Sequence, residues 1–170
     1  MDVVWQRLDH ALRLAVPATV TLLMTLLGVI VWPLPYLGPV APPLAFIGLY
    51  YWSAHRPDLF PPAVAFGIGI VNDMLNDLPL GVSALLFTLA HQLIFQQRRF
   101  FAGQSFLMLW SGFALASAIF MLAEWTLIAL INWQIAPFLP VLLQTVLAII
   151  IFPVPCWILI RMQRAVFMGQ

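Results

Sequence analysis

Asn72, Asp73, Asn76 and Asp77 lie within six consecutive positions, and their carboxyl and amide groups are the types that hold metals, shuttle protons or bind polar ligands. Spacings of three and four place them along one arc of a helix. Their segment, Gly67 to Gly81, is otherwise small or apolar, with Pro79 close to its end. One further acid, Glu124, stands alone in a second apolar run, and Gln144 stands in a third. An ionised carboxylate at the centre of a bilayer costs about 2.5–3.5 kcal/mol on insertion scales, so Asp73 and Glu124 need partners, water or a proton if a membrane surrounds them.

Composition says that a membrane does. Of 170 residues, 64% are hydrophobic and 8% charged, with a mean hydropathy of +1.02. Soluble domains carry about a quarter of their residues charged. A spanning helix needs about 20 apolar residues, so the chain has room for about six spans with short connections and none for a soluble domain. The net charge is +1, and the seven arginines are scattered with no lysine among them, so nucleic acid is not an expected partner. The single Cys156 allows neither an intrachain disulfide nor a cysteine metal site.

Six apolar segments can be drawn, at about 14–32, 40–54, 61–76, 81–96, 105–131 and 138–160. Arg7 and Arg13 precede the first, which ends in Trp-Pro-Leu-Pro and not in a small-residue cleavage site, so it is expected to be a retained helix. Prolines and the His55-Arg56-Pro57-Asp58 turn bound the second; the third starts with proline in its first turn. Gln96 to Arg99 closes the fourth, Asn132-Trp133-Gln134 closes the fifth, and Pro153 and Pro155 are expected to kink the sixth. With both termini in the cytoplasm, six spans put every arginine on the cytoplasmic side, while the loops near 34–38, 77–80 and 132–136 hold none. The expected fold is therefore a single all-α integral membrane domain, a bundle of six transmembrane helices with cytoplasmic N- and C-termini. Trp32, Tyr36, Tyr50, Tyr51, Trp52, Phe100, Phe101 and Trp133 fall near segment ends, where aromatic rings anchor at the headgroups.

This topology sets depth. Asp73 lies about 18 Å from the cytoplasmic start of its span at 1.5 Å per residue, and Glu124 and Gln144 fall in the outer half. Asn72, Asp73, Asn76 and Glu124, with Gln144, are expected to converge in a polar pocket open to the outer side, in contact with a partner or ligand. Asp77, near the outer interface, reads as a helix-end residue in water. Gly67 and Gly69 are expected to be helix-packing positions, and Gly81 packs as well while forming, with Pro79, the turn into the next span. His91 reads as a hydrogen-bonded structural imidazole. No His and Cys cluster occurs at ligand spacing, and two aspartates offer too few oxygens, so neither metal nor cofactor is expected. Ser83, Ser105, Ser111 and Ser117 are scattered in apolar helices without a His and acid at matching depth, and no catalytic residue is assigned.

Two resemblances bear on these residues. Asn72-Asp73-Met74-Leu75-Asn76-Asp77 is similar to the Asn-Asp-x-x-Asp opening of the aspartate-rich motif of intramembrane prenyltransferases, but the second aspartate is one place late and no second acidic motif follows, which leaves the set for magnesium–diphosphate chemistry incomplete. The run from Pro43 to Tyr50-Tyr51-Trp52, the short proline-containing turn, Ala65-Phe-Gly-Ile-Gly-Ile-Val-Asn-Asp73 and Leu78-Pro79-Leu80-Gly81 together resemble the rod shape-determining MreD family. Asn72, Asn76 and Asp77 make this stretch more polar than that pattern.

The MreD resemblance implies a non-enzymatic component of the bacterial cytoplasmic (inner) membrane that serves cell elongation. Its implied partner is a single-span MreC-like protein and, through it, MreB filaments and the enzymes of lateral peptidoglycan synthesis, with membrane lipid around the bundle. The resemblance also implies a fold similar to the substrate-binding subunits of energy-coupling-factor transporters. That kinship gives a second reading, a small-molecule-binding membrane subunit with Asp73, Asn76 and Glu124 as ligand contacts.

Overall fold

The computed structural model describes residues 2–29, 33–34, 38–39, 41–101 and 105–167. Over these the chain runs α1 (Asp2–Gly28), two-residue strands β1 (Pro33–Leu34) and β2 (Gly38–Pro39), α2 (Leu44–His55), a 3-10 turn (Pro57–Leu59), α3 (Pro62–Leu75), α4 (Val82–Phe101), α5 (Phe106–Asn132), α6 (Phe138–Ile151) and α7 (Pro153–Phe167). Each of the six apolar segments overlaps a helix, but α1 begins well before the first and two helices, α6 and α7, cover the sixth. The strands form one antiparallel pair, Pro33 opposite Pro39, which is the exception to an all-helical chain among the described residues.

Helix limits follow local chemistry. Pro61 and Pro62 open α3, where a missing amide hydrogen costs no helical bond. In α1 the hydroxyls of Thr19, Thr21 and Thr25 donate to carbonyls four residues earlier at 2.7–2.8 Å, so these polar groups are satisfied within their own helix. The expected kink in the last segment is a break at Phe152, where α6 and α7 meet at 44° with Pro153 as the first residue of α7. Among the described residues, α5 is long and apolar enough to cross a membrane, and the bent α6–α7 pair passes the same test together.

α2 is the hub. Every residue from Ala45 to Ser53 is buried, so this helix has no solvent or lipid face to mark it. Phe46 stacks on Phe120 with centroids 4.3 Å apart, and Tyr50 meets the edge of Phe113 at 5.3 Å. Three of its polar tips are paired across the bundle, while Trp52 Nε1 has no hydrogen-bond partner among the described residues. Tyr50 donates to the Leu109 carbonyl at 3.1 Å, Tyr51 to Gln163 Oε1 at 2.7 Å, and Ser53 Oγ lies 2.8 Å from His91 Nδ1. His91 is thus a buried, hydrogen-bonded imidazole in the core.

Burial corrects the expectation that Tyr50, Tyr51 and Trp52 anchor at headgroups. They are 1%, 1% and 0% exposed, wrapped by α4, α5 and α7. Trp133, by contrast, is 93% exposed beyond the end of α5. The side chains of Trp32, Tyr36, Phe100 and Phe101 lie outside the described residues.

α3 ends at the stretch that carries the polar arc. The Leu78 amide donates to the Asp73 carbonyl at 3.0 Å across Asp77, which sits at φ 53°, so the helix closes in a left-handed turn of the Schellman type. Asp tolerates this conformation better than most residues, and a β-branched one does not. Asp77→Val is expected to lower stability by about 1–2 kcal/mol, with Asp77→Gly equal to or better than the parent, as read by denaturant midpoints in detergent.

Candidate functional site

α3 and α4 form a hairpin whose closeness depends on Gly69. A Cβ there would collide with the Ala84 Cα and lie 2.6 Å from the Ala84 nitrogen and 2.8 Å from the Ser83 carbonyl carbon. Backbone rests on backbone. Gly67, two residues earlier, faces the opposite way and would meet nothing within 4 Å, so it makes no packing contact inside the described chain. Gly81 likewise has open space around it; its requirement is conformational, φ +103°, a region open to glycine and strained for other residues. A further close approach that sequence reasoning missed is Gly48 of α2, whose Cβ position would lie 3.0 Å from Thr21 Cγ2 of α1.

The turn at Gly81 aims the start of α4 at Asp73. Gly81 N donates to Asp73 Oδ2 at 2.8 Å and Ser83 N to Oδ1 at 2.9 Å. The acid is 0% exposed and satisfies two amides that α4 cannot pair within itself, at the helix end where a negative group is favoured. Asp73 therefore works as a cap contributed by the preceding helix.

Ser83 links this cap to the other polar residues. Its hydroxyl donates to Glu124 Oε1 at 3.3 Å and accepts from Asn72 Nδ2 at 3.0 Å. Asn76 Nδ2 in turn donates to the Asn72 carbonyl at 2.9 Å and to Asn72 Oδ1 at 3.2 Å. A directed chain of donors thus runs from Asn76 through Asn72 and Ser83 to Glu124, joining α3, α4 and α5. Gln144 of α6 donates to the Ala41 carbonyl at 3.0 Å, and Trp125 of α5 to the Ala136 carbonyl at 3.1 Å. These two bonds tie connecting segments to helices at the same end of the bundle.

A cavity of about 300 Å³ lies there. Asn72, Asn76, Glu124 and Gln144 all line it, together with Thr25 of α1 and the apolar rings Phe46, Phe87 and Phe120. Asp73 does not line it; it stands behind Ser83. Of the five residues expected to converge, the structure brings four to one wall system and assigns the fifth to holding the hairpin. Asp77 is exposed and outside the cavity. The sequence reading gives Ser83 no role beyond that of one scattered serine among four. A position two residues after a turn glycine, in the first turn of a helix that follows an acid-bearing helix, is the signal that marks it.

Among the described residues no group of three His, Cys, Asp or Glu side chains is placed to hold a metal ion. Among the described residues the cavity wall carries one carboxyl, three side-chain amides and no basic side chain. Such an arrangement offers hydrogen bonds to a bound group.

Apolar helices around a hydrogen-bonded polar cavity are the pattern of a helical membrane protein. The family model of the rod shape-determining protein MreD matches residues 9–163, and the chain belongs to that family. Membership gives it a role in determining rod shape. Comparison with curated proteins and with solved structures finds no match in either.

Proposed function

We propose that this protein is a non-enzymatic, six-span component of the bacterial inner membrane, with both termini cytoplasmic, that supports cell elongation by binding an MreC-like single-span protein. Through that partner it would act on MreB filaments and on lateral peptidoglycan synthesis. The MreD family match over residues 9–163 carries this reading. The distribution of arginine supports the topology: all seven fall at one side when α6 and α7 together make the sixth crossing.

One helix face supports partner binding. Ala63, Phe66, Gly67 and Met74 are exposed along α3, and the Cβ-free surface at Gly67 next to Ala63 leaves a notch four residues long in which another helix can approach closely. The tagged protein, purified in mild detergent from a rod-shaped host, should retain an MreC-like single-span protein at a fixed ratio. Gly67→Phe should cut that retention about tenfold, equivalent to about 1.4 kcal/mol, while leaving the thermal midpoint of the purified chain unchanged. Absence of any such partner, together with normal rod shape after depletion, would count decisively against the proposal.

A second reading, a small-molecule-binding subunit akin to the substrate-binding component of energy-coupling-factor transporters, is favoured by the cavity beside Glu124. The two are distinguished by what stays on the purified protein: a single-span polypeptide or a specific small molecule.

A further inference from the structure

The fully buried Asp73 and the half-buried Glu124 differ in how they are compensated. Asp73 has two backbone amides and a helix N-terminus. Glu124 has one hydroxyl, from Ser83 at 3.3 Å, and its Oε2 has no hydrogen-bond partner among the described residues. An acid held in apolar surroundings ordinarily has a counter-charge or several donors. Among the described residues no Arg or His lines the cavity that Glu124 faces.

The other polar groups there are also turned toward accepting. Asn76 gives both amide hydrogens to Asn72 and Gln144 gives one to the Ala41 carbonyl, and the side-chain oxygen of each accepts no bond among the described residues. Both ends of the Asn72 amide are used, by Asn76 and Ser83. What remains is a set of three acceptor groups, one of them acidic, in a cavity of about 300 Å³ whose other walls include Thr25, the rings of Phe46, Phe87 and Phe120, and aliphatic side chains. That volume is at the lower end of the range of small-molecule sites, about 300–1,000 Å³.

We propose that this cavity binds a primary ammonium group, with Glu124 as its counter-charge and the oxygens of Asn76 and Gln144 accepting its remaining N–H bonds. Three donors on a compact cation match three acceptors, and aromatic walls add cation–π attraction. A quaternary ammonium has the charge and no N–H, so it fits the rings and leaves the acceptors unpaired. The group can come from an aminophospholipid headgroup or from a free amine. This inference rests on the cavity alone and is independent of partner binding.

Thermal unfolding of the purified full chain in neutral detergent tests it. Ethanolamine should raise the midpoint by about 2 °C or more at saturation. Ethylene glycol, choline chloride and sodium chloride at equal concentration should not. In mixed micelles, phosphatidylethanolamine stabilising more than phosphatidylglycerol, with free ethanolamine weaker, assigns the source to lipid; an effect of free ethanolamine equal to that of the lipid assigns it to a soluble amine. Glu124→Gln keeps an acceptor for Ser83 and should lose the response. Asn76→Leu should weaken it, which gives an independent variant if Glu124→Gln is poorly folded. No shift with ethanolamine or phosphatidylethanolamine, an equal shift with sodium chloride or ethylene glycol, or an undiminished response in a folded Glu124→Gln protein would overturn the proposal.

Discussion

Asp73→Ala is expected to destabilise the protein by about 3 kcal/mol or more, because it strands the amides of Gly81 and Ser83 at the start of α4, and each buried unsatisfied donor costs about 1–3 kcal/mol. Asp73→Asn keeps one acceptor oxygen and turns an NH₂ toward the other amide, so it should recover about half of that loss. Asp77→Asn, changing an exposed side chain, should shift the midpoint by less than about 0.5 kcal/mol. Denaturant titration of the three variants in one detergent gives the ranking. An Asp73→Asn midpoint equal to that of the parent would sink the capping role. The loss also propagates, since the Ser83 amide that Asp73 holds belongs to the residue whose hydroxyl reaches Glu124.

Gly69→Ala has the second large effect, about 3 kcal/mol, although alanine is the better helix former by about 0.5–1 kcal/mol. The atoms that its methyl would meet are backbone atoms of Ser83 and Ala84, which cannot rotate away as a side chain would. α3 and α4 must separate, and the bonds from Gly81 and Ser83 to Asp73 lengthen with them. Gly67→Ala is the matched control. It adds the same methyl on the same helix, into open space, and should be neutral or slightly stabilising. If both variants unfold at the parental midpoint, the close contact between the hairpin backbones is not present.

That pair shows how far the fold and the site were legible. Gly67 and Gly69 have the same residue type and the same apolar neighbours, and they point about 200° apart because successive helical residues advance by about 100°. The sequence contains the helix but not its rotation against α4. A single step of about 100° separates Asn72, which faces the cavity, from Asp73, which faces the α4 backbone. Helix positions were readable because prolines, glycines and arginines mark where apolar runs stop. Tyr50, Tyr51 and Trp52 were misplaced for a related reason: beside Arg56 they look interfacial, yet α2 is enclosed by its neighbours, and a helix that is apolar all round carries no pattern that says what surrounds it. Glu124, Asn72 and Asn76 stood out because polarity is rare in this chain. Ser83 did not, since small hydroxyl residues are ordinary in membrane helices.

Helix length has a consequence for the lipid. α3, with 14 residues, rises about 21 Å, and α5, with 27 residues, rises about 40 Å, against a hydrocarbon layer of about 30 Å. On the six-span arrangement, α5 can meet the bilayer by tilting, whereas α3, exposed at Phe66 and Met74, cannot lengthen. Lipid along α3 must thin to meet it, at a fraction of a kcal/mol per Å of mismatch. A second helix seated on the Ala63–Gly67 notch would cover that short edge and release the strained lipid. The bilayer itself would then favour occupancy of this face, and thicker membranes would favour it more.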